Sequence, residues 1–343
     1  MKKIIILIFT LLIFMPNIKA SYVIMDQDTH DVIEENNMHE KRLIASITKV
    51  MTAYIVIKSV NLDEVVTVGD EILTTHGSSI YLKKGETLTV EDLLYGMMLR
   101  SGNDAAVVLA GYVGGSVENF VRMMNKEAKK INMMNTTFYN PTGLDDNEQG
   151  NISTAYDMAI LTSKAMKNKT FKKIFKTKKY KCKTNINTHI WYNKNKALTM
   201  YKSVTGGKTG YTKKAKRTLI TTASNNNINI IIVTLNMSDD FSYHVNKYKN
   251  IFNEYEKVTV LNKSNINISD SYFKSRGCDF YIKDNYSLLI KKSQFNDLYL
   301  EYIINSNIKP KNNIIIGSIK LYKKNKGIYE IPLYLKCKKK AYI

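Results

Sequence analysis

The first strong feature of the hydrophobic pattern is a run over residues 4–15, broken only by Thr10, which follows Lys2 and Lys3 and leads through Pro16 to Ile18-Lys19-Ala20. A basic start, an apolar stretch and a small residue at the end predict an export signal over residues 1–20, cleaved after Ala20. The stretch is too short for a bilayer, which takes roughly 20 residues, and no later segment offers a run of about 18 apolar positions. Cleaved or retained as an N-terminal anchor, such a leader places the remainder outside the cytoplasm.

Residues 22–26 and 32–33 are short apolar stretches on either side of the polar turn 27–31, which predicts a β-hairpin. From Ser46 to Ile57 there is no Gly or Pro, and apolar residues surround most of a helical circumference. That predicts a helix buried on nearly all sides, with Ser46 at its N-terminus. Helical patterns recur over 90–98, with Thr89 as N-cap and Glu91-Asp92 in the first turn, and over 117–131 and 155–166. Asn140-Pro141-Thr142-Gly143 reads as a turn.

After Trp191 the period changes. Residues 203–212, 218–223 and 228–235 are strand-like, the last two separated by Ser224-Asn225-Asn226-Asn227, a hairpin turn, and a helix over 243–255 closes the region. Beyond residue 257 the chain is rich in Asn, Lys and Ile, with strand-like runs at 288–291, 314–322 and 329–334. The pattern predicts a mixed α/β (α+β) domain over 21–256, an antiparallel sheet flanked by helices, and a small β-rich domain over 257–343. No internal repeat is visible.

Composition adds limits. Of 343 residues 44% are apolar, with 4 Pro and 16 Gly, which excludes disordered and collagen-like classes. The net charge of +21 becomes +18 without Lys2, Lys3 and Lys19. For an exported chain this favours anionic wall polymers or lipid head groups over nucleic acid, and part of it is solvated surface such as residues 176–181. Three cysteines, Cys182, Cys278 and Cys337, describe no disulfide scaffold, and although one bridge is possible nothing in their spacing supports it. Metal-ligand spacing is absent, and no cofactor is expected.

Three short elements carry candidate chemistry: Ser46-Ile47-Thr48-Lys49, Ser101-Gly102-Asn103 and Lys208-Thr209-Gly210. A serine hydroxyl needs an adjacent base to act as a nucleophile. On a helix Lys49 shares a face with Ser46, and burial near a second cation, Lys208, would let Lys49 lose its proton and accept the one from serine. Backbone N–H groups at the helix start face developing negative charge. Gly207 and Gly210 allow close backbone approach along a strand able to hold an extended peptide.

Singly these strings are weak, because Ser271-Tyr272-Phe273-Lys274 and Ser224-Asn225-Asn226 repeat the first two by chance. Ser46 alone could be an ordinary N-cap, residues 101–103 a plain turn, and Lys208 a solvated strand lysine. The three elements in order, each in the context its chemistry needs, argue against that reading.

In this order the three motifs resemble the signature of the penicillin-binding protein and serine β-lactamase superfamily. The flanking residues 45–52, 75–82, 99–106 and 206–212 resemble its low-molecular-weight D-alanyl-D-alanine carboxypeptidase branch, over about residues 21–255. The resemblance implies a β-lactamase/transpeptidase-like fold with an inserted helical region. It also implies a serine-type carboxypeptidase acting on peptidoglycan stem peptides that end in D-Ala-D-Ala, with β-lactams as covalent inhibitors. Carried onto this chain, Ser46 is the nucleophile, Lys49 the base and Ser101 the proton relay. Lys208 and Thr209 bind the terminal carboxylate, Asn103 the substrate amide, and the N–H groups of Ser46 and Tyr211, beside Gly210, form the oxyanion hole.

There are departures from the family pattern. Lys216 stands where a Gly is usual, and Thr142 replaces a common His. The usual carboxylate-binding Arg has only His244 and Lys247 as its nearest aligned residues. Two other readings remain. A serine β-lactamase would need a deacylating glutamate, for which Glu148 lacks the context, and a basic wall-binding protein on a degenerate fold would need broken motifs.

Overall fold

The computed structural model describes residues 20–145 and 149–338. The expected leader up to Lys19, Glu148 and the end of the basic tail lie outside the described residues. The chain divides into two compact units, one of residues up to 225 with 229–248, the other of 226–228 and 249–343.

The first unit is built on an antiparallel sheet. Its strands are β1 (Ser21–Asp26), β2 (Val32–Asn36), β9 (Val204–Thr212), β10 (Lys216–Asn225) and β11 (Ile228–Leu235), in the order β2-β1-β11-β10-β9. Between β2 and β9 come three short pairs: β3 (Arg42–Leu43) with β6 (Ile152–Ser153), β4 (Val65–Thr67) with β5 (Thr87–Thr89), and β7 (Lys179–Lys183) with β8 (Thr188–Tyr192). The helices that begin in this unit are α1 (Lys49–Ser59), α2 (Val90–Arg100), α3 (Asn103–Gly114), α4 (Val117–Lys130), α5 (Ala155–Ala165), α6 (Lys169–Lys176), α7 (Ala197–Met200) and α8 (Asp240–Glu254), the last running past residue 248.

α1 is the axis of the core. Val50, Met51, Ala53 and Val56 are fully buried against Leu93 and Leu94 of α2, Leu109 of α3 and Phe120 of α4 in one continuous apolar cluster. Burial on nearly every side matches the all-round apolar sequence. Its start differs from expectation. Ser46 lies in a 3-10 turn, Ala45–Thr48, and the α-helix begins at Lys49. Ala45 has φ 48°, so the chain enters the turn through a left-handed residue that a regular α-helix cannot contain.

Thr89 caps α2, as the pattern predicts, and the cap is a reciprocal capping box with Asp92. Pattern reading passes over α6 and the β7–β8 hairpin. Lys179, Lys181 and Lys183 mask an alternation in which Tyr180 and Cys182 face inward, so the segment reads as solvated charge.

The second unit holds β12 (Tyr255–Leu261) paired with β14 (Tyr286–Lys291), a short helix α9 (Ser271–Lys274), and a four-stranded sheet. That sheet comprises β13 (Cys278–Tyr281), β15 (Leu298–Ile304), β16 (Ile315–Lys323) and β17 (Lys326–Cys337), in the order β13-β17-β16-β15. Phe273, Ile316, Ile319, Leu333 and Leu335 form its own core. Cys278 and Cys337 are directly opposed in the register and form a disulfide, the bridge that spacing alone leaves unsupported. Cys182 is free and buried in the first unit.

Candidate active site

The three motifs converge. Lys49 Nζ stands 3.2 Å from Ser46 Oγ and donates to Asn103 Oδ1 and to the Thr142 carbonyl, both at 2.6 Å. Asn103 in turn donates from Nδ2 to the His76 carbonyl at 2.7 Å. Lys208 Nζ donates to Ser101 Oγ at 3.0 Å and to the Thr209 carbonyl at 2.7 Å. Lys49 and Lys208 are fully or almost fully buried.

Two ammonium groups in one desolvated pocket disfavour each other's charge. Burial, with the positive charge of Lys194 behind it, brings Lys49 down to about 7, against a smaller opposing pull from Asp104. Burial, then Lys49, then Lys194 hold Lys208 well below the usual lysine range.

The elements fix these positions by close approach. A Cβ on Gly210 would lie 2.9 Å from Ser46 N and 3.1 Å from Ile47 N, so β9 runs directly against the turn that carries Ser46. The proximity that Gly210 permits is thus to the protein's own backbone. Ser101 caps α2 in the left-handed region at φ 65°, which turns its hydroxyl toward Lys208 while Asn103 opens α3. Strained residues of this kind persist where the surroundings over-determine them.

A cleft of about 390 Å³ opens above these groups, lined by Ser46, Ser101, Thr209, Gly210 and Tyr211, and also by Ser78, Lys194, Lys196, Arg217 and Phe241. Ser46 and Tyr211 thus sit in one cavity of the size that holds small ligands.

Residues 14–239 match the D-alanyl-D-alanine carboxypeptidase family. The chain belongs to this family. It is 31% identical over 330 residues to the D-alanyl-D-alanine carboxypeptidase DacF of Bacillus subtilis, covering 92% of this chain and 84% of that one. It is 29% identical over 347 residues to DacA of Escherichia coli, covering 93% and 83%. Among solved structures, penicillin binding protein 5 from Haemophilus influenzae superposes with a TM-score of 0.78 at 25% identity, over 92% of this chain and 96% of that one. The DacD carboxypeptidase from Francisella tularensis gives 0.76 at 25% identity, over 92% of both. The chain is therefore a serine D-Ala-D-Ala carboxypeptidase with the mixed helix and sheet fold of that family.

Within this carboxypeptidase, neither stand-in for the usual carboxylate-binding arginine is among the residues lining the cleft. His244 is wholly buried, hydrogen-bonded to Thr221 and Thr234, and its pKa falls to about 3 by burial. Lys247 pairs with Glu34 at 2.6 Å. Arg217, which sequence reading passes over, lines the cleft instead, held by Asp240 at 2.5 Å. It lies directly across from Tyr211 in the β9–β10 register. Counting back across the turn between the two strands finds it.

Of the other departures, Lys216 has φ 59°, a conformation that suits the family's usual Gly. Thr142 offers its main-chain carbonyl to Lys49, so replacing His there leaves that contact in place.

Proposed function

We propose that this carboxypeptidase removes the terminal D-Ala of peptidoglycan stem peptides through an acyl-enzyme on Ser46. The observation that carries the reading is the surroundings of Lys49 Nζ. A neutral amine has two N–H bonds and one lone pair. With the bonds directed at Asn103 Oδ1 and the Thr142 carbonyl, the lone pair is left for the Ser46 hydroxyl 3.2 Å away.

Ser46 Oγ attacks the carbonyl of the penultimate D-Ala while its proton passes to Lys49. The N–H groups of Ser46 and Tyr211 receive the oxyanion. The C–N bond then breaks, the leaving amine takes a proton through Ser101, and water hydrolyses the ester to restore Ser46. Lys208, Thr209 and Arg217 receive the terminal carboxylate, Asn103 steadies the base and the substrate amide, and β-lactams acylate the same serine.

The disulfide and the apolar leader support export to an oxidising compartment outside the membrane, where the basic surface favours anionic wall polymers. Purified protein is expected to retain a fluorescent penicillin covalently and to release D-Ala from a peptide ending in D-Ala-D-Ala. Equal labelling of Ser46→Ala would overturn the assignment, and rapid penicillin turnover without a lasting adduct would instead support a β-lactamase.

A further inference from the structure

The carbonyl that faces Lys49 belongs to a loop, and a carbonyl on a loop is only as well placed as the loop. Asn140 Oδ1 accepts from Thr142 N at 3.2 Å, Thr142 Oγ1 at 2.9 Å and Gly143 N at 2.7 Å, which folds residues 140–143 into a compact turn. A residue outside every motif, Asn151, then links the turn to the catalytic segment.

Asn151 is 1% exposed and uses its whole side chain. Oδ1 accepts from Tyr139 N at 2.6 Å and Asn140 N at 3.1 Å, and Nδ2 donates to the Asn140 carbonyl at 2.8 Å and to Thr48 Oγ1 at 2.9 Å. Thr48 lies between Ser46 and Lys49 and is fully buried. The Asn151 main-chain carbonyl also accepts from Ile44 N at 3.1 Å, and Thr52, one turn beyond Lys49, donates to the Pro141 carbonyl at 2.8 Å.

We propose that Asn151 is a positioning residue for acylation: by tying Thr48 to the 139–143 turn, it holds the Thr142 carbonyl on Lys49 and so keeps the lone pair of the amine aimed at Ser46. This rests on the reading of Lys49 as the base. Without the carbonyl, the amine rotates about its terminal bond and donates to Ser46 Oγ, the direction opposite to the one catalysis needs. The four hydrogen bonds use up the amide, so its loss leaves buried partners unpaired on both the turn and Thr48, with the Thr52 contact to the Pro141 carbonyl left to hold the turn from that side.

The test uses the full chain, with Asn151→Ala and, because that variant can fail to fold, the near-isosteric Thr48→Val and its control Thr48→Ser. Fluorescent penicillin is followed in time, which separates the amplitude of labelling from the rate constant per labelled site. The expected result is a rate constant lowered roughly tenfold or more in Asn151→Ala and Thr48→Val, with Thr48→Ser near wild type and the amplitude per folded molecule unchanged. A purely structural role would lower the amplitude and leave the per-site rate constant alone, and that result overturns the proposal. A rate constant lost equally in Thr48→Ser also overturns it. Failure of wild-type protein to label at all would count against Ser46 and Lys49, not against Asn151.

Discussion

Lys49 and Lys208 are buried side by side, and it is burial, with the charge of Lys194 behind it, that brings Lys49 into the range where it can lose its proton. In the proposed mechanism neutral Lys49 is the active form, so protonation as pH falls below about 7 removes the base and acylation slows. The second-order rate constant for penicillin acylation should therefore rise through about pH 7 and level off above it. Lys194→Gln, which removes a repelling charge, should move that rise to higher pH. Arg217 makes a different prediction. Arg217→Gln should raise KM for a D-Ala-D-Ala acid by about tenfold or more, the scale of a charged hydrogen bond, and leave turnover of the corresponding C-terminal amide nearly unchanged. Ser46, Lys49, Ser101, Asn103 and Lys208 are legible in the sequence because each sits in a short string whose spacing encodes its neighbour. Arg217 is not, since its place depends on pairing across strands, and alignment along α8 points instead to His244, which is wholly buried.

At the scale of elements, the turn after Asn140 and the 3-10 turn at Ser46 are packed so closely that only glycine fits between them. Gly143 has φ 86°, and a Cβ there would meet the Ala45 carbonyl oxygen at 2.0 Å. Gly143→Ala combines left-handed strain with a clash against backbone, and is expected to cost well over the roughly 1–2 kcal/mol of the strain alone. Gly85 has φ 79° and open space around it, so Gly85→Ala should show only the strain. Thermal unfolding of the two variants measures the difference, and equal losses would show that the turns can part. Helices with a clear apolar face and caps, such as α2, are readable from pattern. The turn that carries Ser46 is not, because an all-round apolar segment carries no phase, and it is the left-handed Ala45 that sets where the α-helix starts.

At the scale of the whole molecule, two units with separate cores imply separable responses. The Cys278–Cys337 bond closes a loop 59 residues long in the second unit, worth about 4 kcal/mol by loop-closure entropy. Reduction should lower the unfolding temperature of that unit while penicillin labelling of the first persists, which calorimetry and gel fluorescence can record on one sample. The bond is invisible to cysteine counting because strand register, not spacing, brings Cys278 and Cys337 together.

The contact of Gly210 with the backbone of Ser46 and Ile47 also bears on drug resistance. An enzyme escapes an inhibitor most simply by adding bulk where the drug lies and the substrate does not. At Gly210 that route is closed: a first carbon added there meets Thr218 Oγ1 at 2.3 Å and the Ser46 main chain at 2.9 Å, so the turn bearing Ser46 must shift and natural substrate and antibiotic are expected to be lost together.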